Sequence, residues 1–419
     1  MPSKVVIVGA GQAGYHAASA LRSAGFAGEV ELLGEEPGLP YQRPPLSKAY
    51  LRDPRSEEIV FRPRRFYSEH GIDVRVQHQV VAVEREHRRV VLDSGEPRSY
   101  DHLILATGAR ARRLPVDGAH LDGVVHLRTR EDADHLRSRL MAATGVAIVG
   151  AGFIGLELAS VASDLGVRAT VVELAPGAMM RTVSEPTADF FVEQHEARGV
   201  RFRFGTSVEQ IVATDGVVTG LVTDHGDVIE ADLVVVGIGV VPNTELAEHA
   251  GLPLADGIRV DAHLLTGDPS ISAIGDCAAF PSRHGAGLVR LESVQNATDQ
   301  ARYVAERING RQDPYGAVPW FWTDQAGSKL QIAGLTAGHD TCVIRGDIED
   351  ASFTVLCFRG ERFLGAESVN RVADHMKVRK LMSRGGTVSR DEATEPTYEF
   401  GTRRNRPTAL VAGQQEEGA

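Results

Sequence analysis

Val5-Val6-Ile7-Val8-Gly9-Ala10-Gly11-Gln12-Ala13-Gly14 stands at the head of the chain, and Val146-Ala147-Ile148-Val149-Gly150-Ala151-Gly152-Phe153-Ile154-Gly155 repeats its pattern. Each copy is an apolar run too short for a buried helix, followed by G-x-G-x-x-G. Ala- and Leu-rich sequence of helical character comes next, at His16 to Arg22 and at Leu156 to Leu165. The pattern predicts strand, turn and helix twice over. In such a turn the first glycine permits the tight bend, the second lets the backbone approach a pyrophosphate, and the third lets the helix pack on the strand. The helix N-terminus then offers free N–H groups and the positive end of its dipole to phosphate. Gly9, Gly11, Gly14, Gly150, Gly152 and Gly155 are therefore candidate nucleotide contacts.

An acid ends the next β-like run in each half, Glu35 after Val30-Glu31-Leu32-Leu33-Gly34 and Glu173 after Ala169-Thr170-Val171-Val172. Both stand at about the 20-residue distance from their turn at which a carboxylate meets the adenosine ribose. Two dinucleotide sites in one chain are expected. Glu31 and Glu36 flank Glu35 and leave the choice within that trio open.

The chain has 419 residues, 42% of them hydrophobic, enough for two to three domains with a normal core. A formal net charge of -11 argues against a general nucleic-acid binder. Cys277, Cys342 and Cys357 are too few and too scattered for a disulfide framework or a Cys-rich metal site, and no metal is expected. The Gly-rich turn interrupts the N-terminal apolar stretch before a signal-peptide core could form, and Leu233 to Val241 is too short to span a bilayer. A cytoplasmic protein with no membrane contact is expected.

Pro37-Gly38-Leu39-Pro40-Tyr41-Gln42-Arg43-Pro44-Pro45-Leu46-Ser47-Lys48 is too proline-rich for a strand or long helix and predicts a stiff loop carrying a cation. Following the ribose-binding acid, it is placed to lie along a dinucleotide, with Lys48 setting positive charge against a redox ring. A surface lysine near a helix start is the plainer alternative. Leu103 to Gly108 is a buried strand ending in Thr107-Gly108, where a cofactor can pass closely, and Leu233 to Gly239 parallels it in the second half. Thr129 is a candidate N-cap for a helix opening a new domain. Ile271 to Asp276 reads as a strand that completes the first domain, with Gly275-Asp276 at its carboxyl end. Asp276 is either an acceptor for a ribityl hydroxyl, or the N-cap of a helix over Cys277-Ala278-Ala279, or both. Pro319-Trp320-Phe321-Trp322-Thr323-Asp324-Gln325 holds both tryptophans, either packed between domains or shielding a ring cofactor. Four β-like runs from Lys329 to Glu367 and a basic helix from Asn370 to Arg384 predict a third, α+β domain.

Two dinucleotide sites imply transfer between dinucleotides, FAD held by the first unit and NAD(P)H visiting the second. Glu173 favours NADH, because Leu174-Ala175-Pro176 supplies no arginine for a 2′-phosphate. A disulfide-reductase relay requires paired cysteines facing the flavin, and none of the three has a near neighbour in sequence. One-electron delivery to an external centre, or direct reaction with oxygen or a quinone, remains.

The runs Leu39 to Lys48, Ala106-Thr107-Gly108, Gly152 to Glu157, Ile274 to Cys277, Glu292 to Asn296 and Pro319 to Gln325 together resemble the FAD-dependent, NADH-using ferredoxin reductases of bacterial oxygenase systems. These are relatives of the pyridine nucleotide-disulfide oxidoreductases that lack the redox disulfide. The likeness covers about residues 4 to 385. It implies FAD contacts from Ala13, Glu35, Lys48, Val80, Arg128, Asp276 and Val294, with Trp320 near the flavin, and NADH contacts from Gly152, Ile154, Glu157 and Glu173. It implies a [2Fe–2S] ferredoxin as acceptor, feeding a cytochrome P450 or a ring-hydroxylating dioxygenase. It carries nothing over to Gln42 and Arg43.

The expected fold is α/β: two Rossmann-like dinucleotide-binding domains of glutathione-reductase type plus a C-terminal α+β domain. Residues 1–110 and 244–318 would form the FAD domain, 111–243 the NAD domain, 319–402 the third domain and 403–419 a disordered tail. The expected chemistry is hydride transfer from nicotinamide to flavin, then single-electron steps to the ferredoxin. Lys48 and Glu157 are expected to pair beside the flavin as the catalytic residues. Arg62, Arg64 and Arg65, with Arg302, Arg307 and Arg311, are candidate docking cations for an acidic partner. A rubredoxin, quinone or nitrite-pathway reductase, or a weakly catalytic redox sensor resembling apoptosis-inducing factor, are the alternatives. A monomer or weak dimer is expected.

Overall fold

The computed structural model describes residues 2–53 and 59–400, so the tail expected from 403 onward lies outside the described residues. Two five-stranded parallel sheets organise the first three-quarters of the chain. The first runs Ile271–Ala273, His102–Leu105, Lys4–Val8, Glu29–Gly34 and Ile72–Val76. The second runs Val124–His126, Leu233–Val236, Gly145–Val149, Arg168–Val172 and Arg201–Arg203. Parallel strands are covered on both faces, which is why their centres read as unbroken Val, Ile and Leu rather than as alternation.

The two sheets correspond strand for strand, and each unit also carries a three-stranded antiparallel sheet, Val80 to Ser99 in the first and Val208 to Glu230 in the second. The duplication reaches backbone detail: Gly9 and Gly150 adopt φ of +106° and +107°. One element breaks the correspondence. The outer strand beside His102–Leu105 comes from residues 271–273, after the second unit, whereas the outer strand beside Leu233–Val236 comes from 124–126, before that unit's glycine turn.

Helix Gln12–Ser23 packs on helix Val294–Ile308 through small residues, with Ala13, Ala17 and Ala18 sharing a core with Ala297, Ala301 and Val304. Thr129 caps helix Arg130–Leu140 as expected, and Asp132 reciprocates in a capping box. After Ile271–Ala273 the chain makes a single 3-10 turn, Gly275–Cys277, and passes straight into strand Ala278–Pro281. The helix over Cys277-Ala278-Ala279 does not form, and Asp276 caps nothing there.

The C-terminal unit is an antiparallel sheet ordered Trp320–Gln325, Ser328–Gly334, Arg362–Val369, Ser352–Arg359, Thr341–Asp347, covered by helix Val372–Ser383. It has five strands rather than four because the tryptophan triplet is itself a strand, with Trp320 opposite Ala333 and Trp322 opposite Gln331. Ala326 and Gly327, both at positive φ, make the two-residue turn of that hairpin. No described helix is long and apolar enough to cross a membrane.

Candidate functional site

A cavity of about 1500 Å³ begins at the first glycine turn and ends against the second unit and the tryptophan strand. Gly9, Gly11, Ala13, Glu35, Lys48, Val80, Thr107 and Gly108 line it from the first stretch of chain. Arg128, Ile154, Glu157, Gly275, Asp276 and Val294 line it from later segments. Residues drawn from eight separate stretches of sequence thus share one wall.

The other expected residues stand outside that lining. Gly14 and Gly155 sit beneath their turns, where a Cβ would come within 1.8 Å of the Gly9 carbonyl oxygen and 2.0 Å of the Gly150 carbonyl oxygen. Their role is helix-to-strand contact. Gly150 and Gly152 belong to the second turn, Glu173 follows strand Arg168–Val172 beside it, and Gly239, at φ +94°, lies just past the strand Leu233–Val236. Trp320 is not itself part of the lining, but it touches Trp322, which is. The Trp320 indole lies against the guanidinium of Arg379 at 4.3 Å, the His375 ring at 5.7 Å and Trp322 at 5.4 Å. Phe321 and Trp322 line the cavity instead, and Phe321 packs on Phe153 of the second turn at 4.4 Å.

The chemistry of the wall fits a dinucleotide. At Gly11 the nearest described atom to a built Cβ is Arg43 Nη2 at 4.0 Å, so the turn is open above its second glycine, with a cation facing it. At Gly152 no described atom lies within 4 Å of such a Cβ. The trio of acids separates cleanly. Glu31 is buried and held by Lys4, Arg75 and Arg98 at 3.2, 3.2 and 3.3 Å. Glu36 takes the guanidinium of Arg43 and the hydroxyl of Tyr41. Glu35 is exposed on the cavity wall with no ion-pair partner among the described residues, as a ribose acceptor would be.

Arg43, on which the family resemblance is silent, is the main residue that sequence reasoning missed. It donates to the carbonyl of Arg128 at 2.6 Å and lies over the Tyr41 ring at 5.3 Å. Burial opposes its charge, but Glu36 and Tyr41 more than offset that and hold the guanidinium above its ordinary pKa. Burial, together with the bond to Glu36, pushes the Tyr41 hydroxyl upward. The available signal was the same one that marked Lys48: a cation in a proline-stiffened loop.

Asp276 Oδ2 accepts from Arg128 Nη2 at 2.8 Å, and Arg128 Nε donates to the Ala109 carbonyl at 2.9 Å. Lys48 Nζ meets Glu157 Oε1 at 2.7 Å, so the pair anticipated from sequence is present. Glu157 is 3% exposed and also accepts from Ser47 Oγ and from Thr323 Oγ1, the latter at 2.6 Å. Ser47 precedes Lys48 in the loop, Glu157 lies on the helix of the second turn, and Thr323 comes from the tryptophan strand. One carboxylate thereby joins three parts of the fold. In the second turn Glu173 accepts from the Ala151 and Ala175 N–H groups at 2.7 and 2.8 Å, which aims its carboxylate along the glycine loop.

The docking cations divide differently from expectation. Arg62, Arg64, Arg65 and Arg302 are exposed. Arg307 turns inward, donating to Ser272 Oγ at 2.8 Å beside His102, and is not available to a partner. Arg311 pairs with Glu306 and covers the Tyr303 ring at 5.1 Å.

The chain is similar over most of its length to proteins of known activity. It is 50% identical over 397 residues to rhodocoxin reductase of Rhodococcus erythropolis, covering 94% of this chain and 93% of the relative. Its fold matches the crystal structure of the ferredoxin reductase for the CYP199A2 system from Rhodopseudomonas palustris at a TM-score of 0.93 and 46% identity, over 95% and 98% of the two chains. It matches the covalent putidaredoxin reductase–putidaredoxin complex at 0.90 and 36%, over 94% and 96%. Residues 320–402 match the reductase C-terminal family. Residues 3–301, which hold both glycine turns and the whole cavity wall short of the tryptophan strand, match the pyridine nucleotide-disulphide oxidoreductase model, and the chain belongs to that family.

Proposed function

We propose that this chain is an FAD-dependent oxidoreductase that takes hydride from NADH and delivers electrons singly to a small [2Fe–2S] ferredoxin. That ferredoxin would in turn supply a cytochrome P450 or an aromatic-ring dioxygenase. Bound FAD supplies the exchange between a two-electron donor and a one-electron acceptor. Residues 1–110 with 244–318 make the FAD domain, 111–243 the NAD domain and 319–402 the third domain.

The observation that carries the proposal is the Lys48–Glu157 pair, which ties the loop of the first nucleotide unit to the turn helix of the second. A buried carboxylate with three donors holds the ammonium on the cavity wall at no cost of reorganisation, so positive charge is in place before hydride arrives. Gly9, Gly11 and the N-terminal amides of helix Gln12–Ser23 receive the FAD pyrophosphate, assisted by Arg43. Glu35 takes the adenosine ribose, and Asp276, oriented by Arg128, takes a ribityl hydroxyl. Ala13, Val80, Thr107, Gly108, Gly275 and Val294 shape the walls. Gly150, Gly152, Gly155 and Gly239 frame the NADH site, Glu173 takes its ribose, and Ile154, 43% exposed, stands where the nicotinamide enters. Trp320 acts through Trp322.

No cysteine lines the cavity among the described residues, so electrons leave without a sulfur relay. An acidic ferredoxin docks on the exposed cations Arg62, Arg64, Arg65 and Arg302. A cytoplasmic setting and a monomer or weak dimer complete the proposal; the scarcity of cysteine supports the former. The test is anaerobic reduction by NADH followed by turnover with purified ferredoxin, rubredoxin or quinone. Ferredoxin is expected to give the highest kcat/KM. A protein that takes up no FAD, or that prefers quinone, refutes it.

A further inference from the structure

Strand Thr341–Asp347 is the outermost of its side of the C-terminal sheet, and its antiparallel register with Ser352–Arg359 sets Cys342 directly opposite Cys357. Directly opposed residues share a face, with Cα atoms about 4.5–5.5 Å apart, inside the window of about 4.4–6.8 Å that a disulfide requires. Along the chain the two are separated by a whole hairpin, which hid the pair from sequence.

The environment is asymmetric. Cys342 is half-buried and Cys357 fully buried. The Cys357 thiol across the strand pair, then His339, holds Cys342 below the ordinary thiol range against partial burial. The nearness of Cys342, then burial and the charge of Glu367, keeps Cys357 protonated. Glu367 Oε1 lies 3.6 Å from Cys357 Sγ, and its carboxylate accepts from Ser184 N–H at 3.0 Å and Ser184 Oγ at 2.6 Å. An accessible nucleophile backed by a protonated, enclosed thiol is the arrangement of an attacking and a resolving cysteine. Neither residue lines the nucleotide cavity.

We propose that Cys342 and Cys357 form a thiol–disulfide exchange site that takes low-molecular-weight disulfides, separate from the nucleotide cavity and independent of the proposed electron transfer. The Cys342 thiolate attacks one sulfur of the incoming disulfide, forming a mixed disulfide as the S–S bond breaks and one thiolate leaves. Cys357 gives its proton toward Glu367 and attacks Cys342, closing the intramolecular bond and expelling the second thiol. The protein dithiol is oxidised by two electrons, and the small disulfide is reduced to two thiols.

The experiment incubates reduced, FAD-loaded full-length protein with glutathione disulfide, then alkylates free thiols and maps peptides by mass. The expected product links the Cys342 and Cys357 peptides, retains no glutathione and leaves Cys277 free, with NADH-dependent turnover unchanged. In Cys357→Ser glutathione should stay on Cys342, and in Cys342→Ser neither adduct nor cross-link should form. Should the buried Cys357→Ser variant fail to fold, the wild-type map decides alone. Wild-type protein that keeps all three thiols, holds glutathione on Cys342 without resolving it, or cross-links between two chains overturns the proposal.

Discussion

Replacing Lys48 by Met separates the two things its ammonium does. The substitution keeps the stem and removes the charge that sits 2.7 Å from Glu157. Stripping one partner from a buried ion pair costs about 3–5 kcal/mol. Here Ser47 and Thr323 continue to donate to the carboxylate and the lysine side chain is 20% exposed, so about 2 kcal/mol is the expected loss. For a chain with domains of this size that is roughly a 5 °C fall in Tm. The chemical effect is distinct. Removing a preorganised donor from an enclosed site costs about 100-fold to 1000-fold in rate, and a partly solvated one less, so reduction by NADH should slow about 10-fold to 100-fold. Stopped-flow loss of the flavin's visible absorbance measures it. The double variant Lys48→Met with Glu157→Gln removes the orphaned charge, so Tm should recover while reduction stays slow. An unchanged rate in the single variant, or a restored rate in the double, would show that the lysine is only a structural counter-ion.

Four further outcomes are expected. Gly152→Ala should fold with unchanged Tm yet raise the KM for NADH at least about 10-fold, since its Cβ projects into open space at a close-approach position, whereas Gly155→Ala collides with the Gly150 carbonyl and should melt early. Thermal melts and NADH titrations compare the two. Asp276→Asn should weaken FAD retention on dilution about 10-fold by losing the charge-assisted bond to Arg128, and equal retention would remove Asp276 from the site. Ferredoxin-coupled cytochrome c reduction should fall steeply with added salt, and Arg302→Glu should flatten that slope. Stability should drop on acidification: burial, with nearby arginines, pushes His16, His284 and His375 down to about 4 and His102 to about 3. Their neutral folded forms contribute fully above the unfolded value near 6.5, and the contribution is lost as pH falls below it, by at most about 1.4 kcal/mol per pH unit for each group. Melts at descending pH check this, and His375→Gln should shallow the decline.

Local rules carried much of the architecture. Glycine spacing and apolar runs place both nucleotide turns, because a strand, a tight bend and a helix are each specified within ten or so residues. Lys48 was readable as the cation of a proline-stiffened loop, whereas Glu157 came only from the family resemblance. Legibility ended where geometry depends on which strands become neighbours. Cys342 and Cys357 looked isolated until a hairpin register opposed them. The tryptophan triplet did not announce itself as a strand, and only its pairing with Ser328–Gly334 shows that Phe321 and Trp322 line the cavity while Trp320 packs on Arg379 and His375. Arg307 sits on the same helix as exposed Arg302, and only the position of His102 and Ser272 shows that it turns inward. Asp276 read equally as a cap, because a 3-10 turn and a first helical turn share the same opening residues.

The displaced outer strand has a consequence for synthesis. Every strand of the second parallel sheet lies between residues 124 and 236, whereas the first sheet lacks its last member until 271–273 has been made. On a ribosome the interior module therefore closes earlier than the one whose amino end emerged first. The N-terminal strands wait, four of the five in place, with the flank of His102–Leu105 bare until the late arrival seals it.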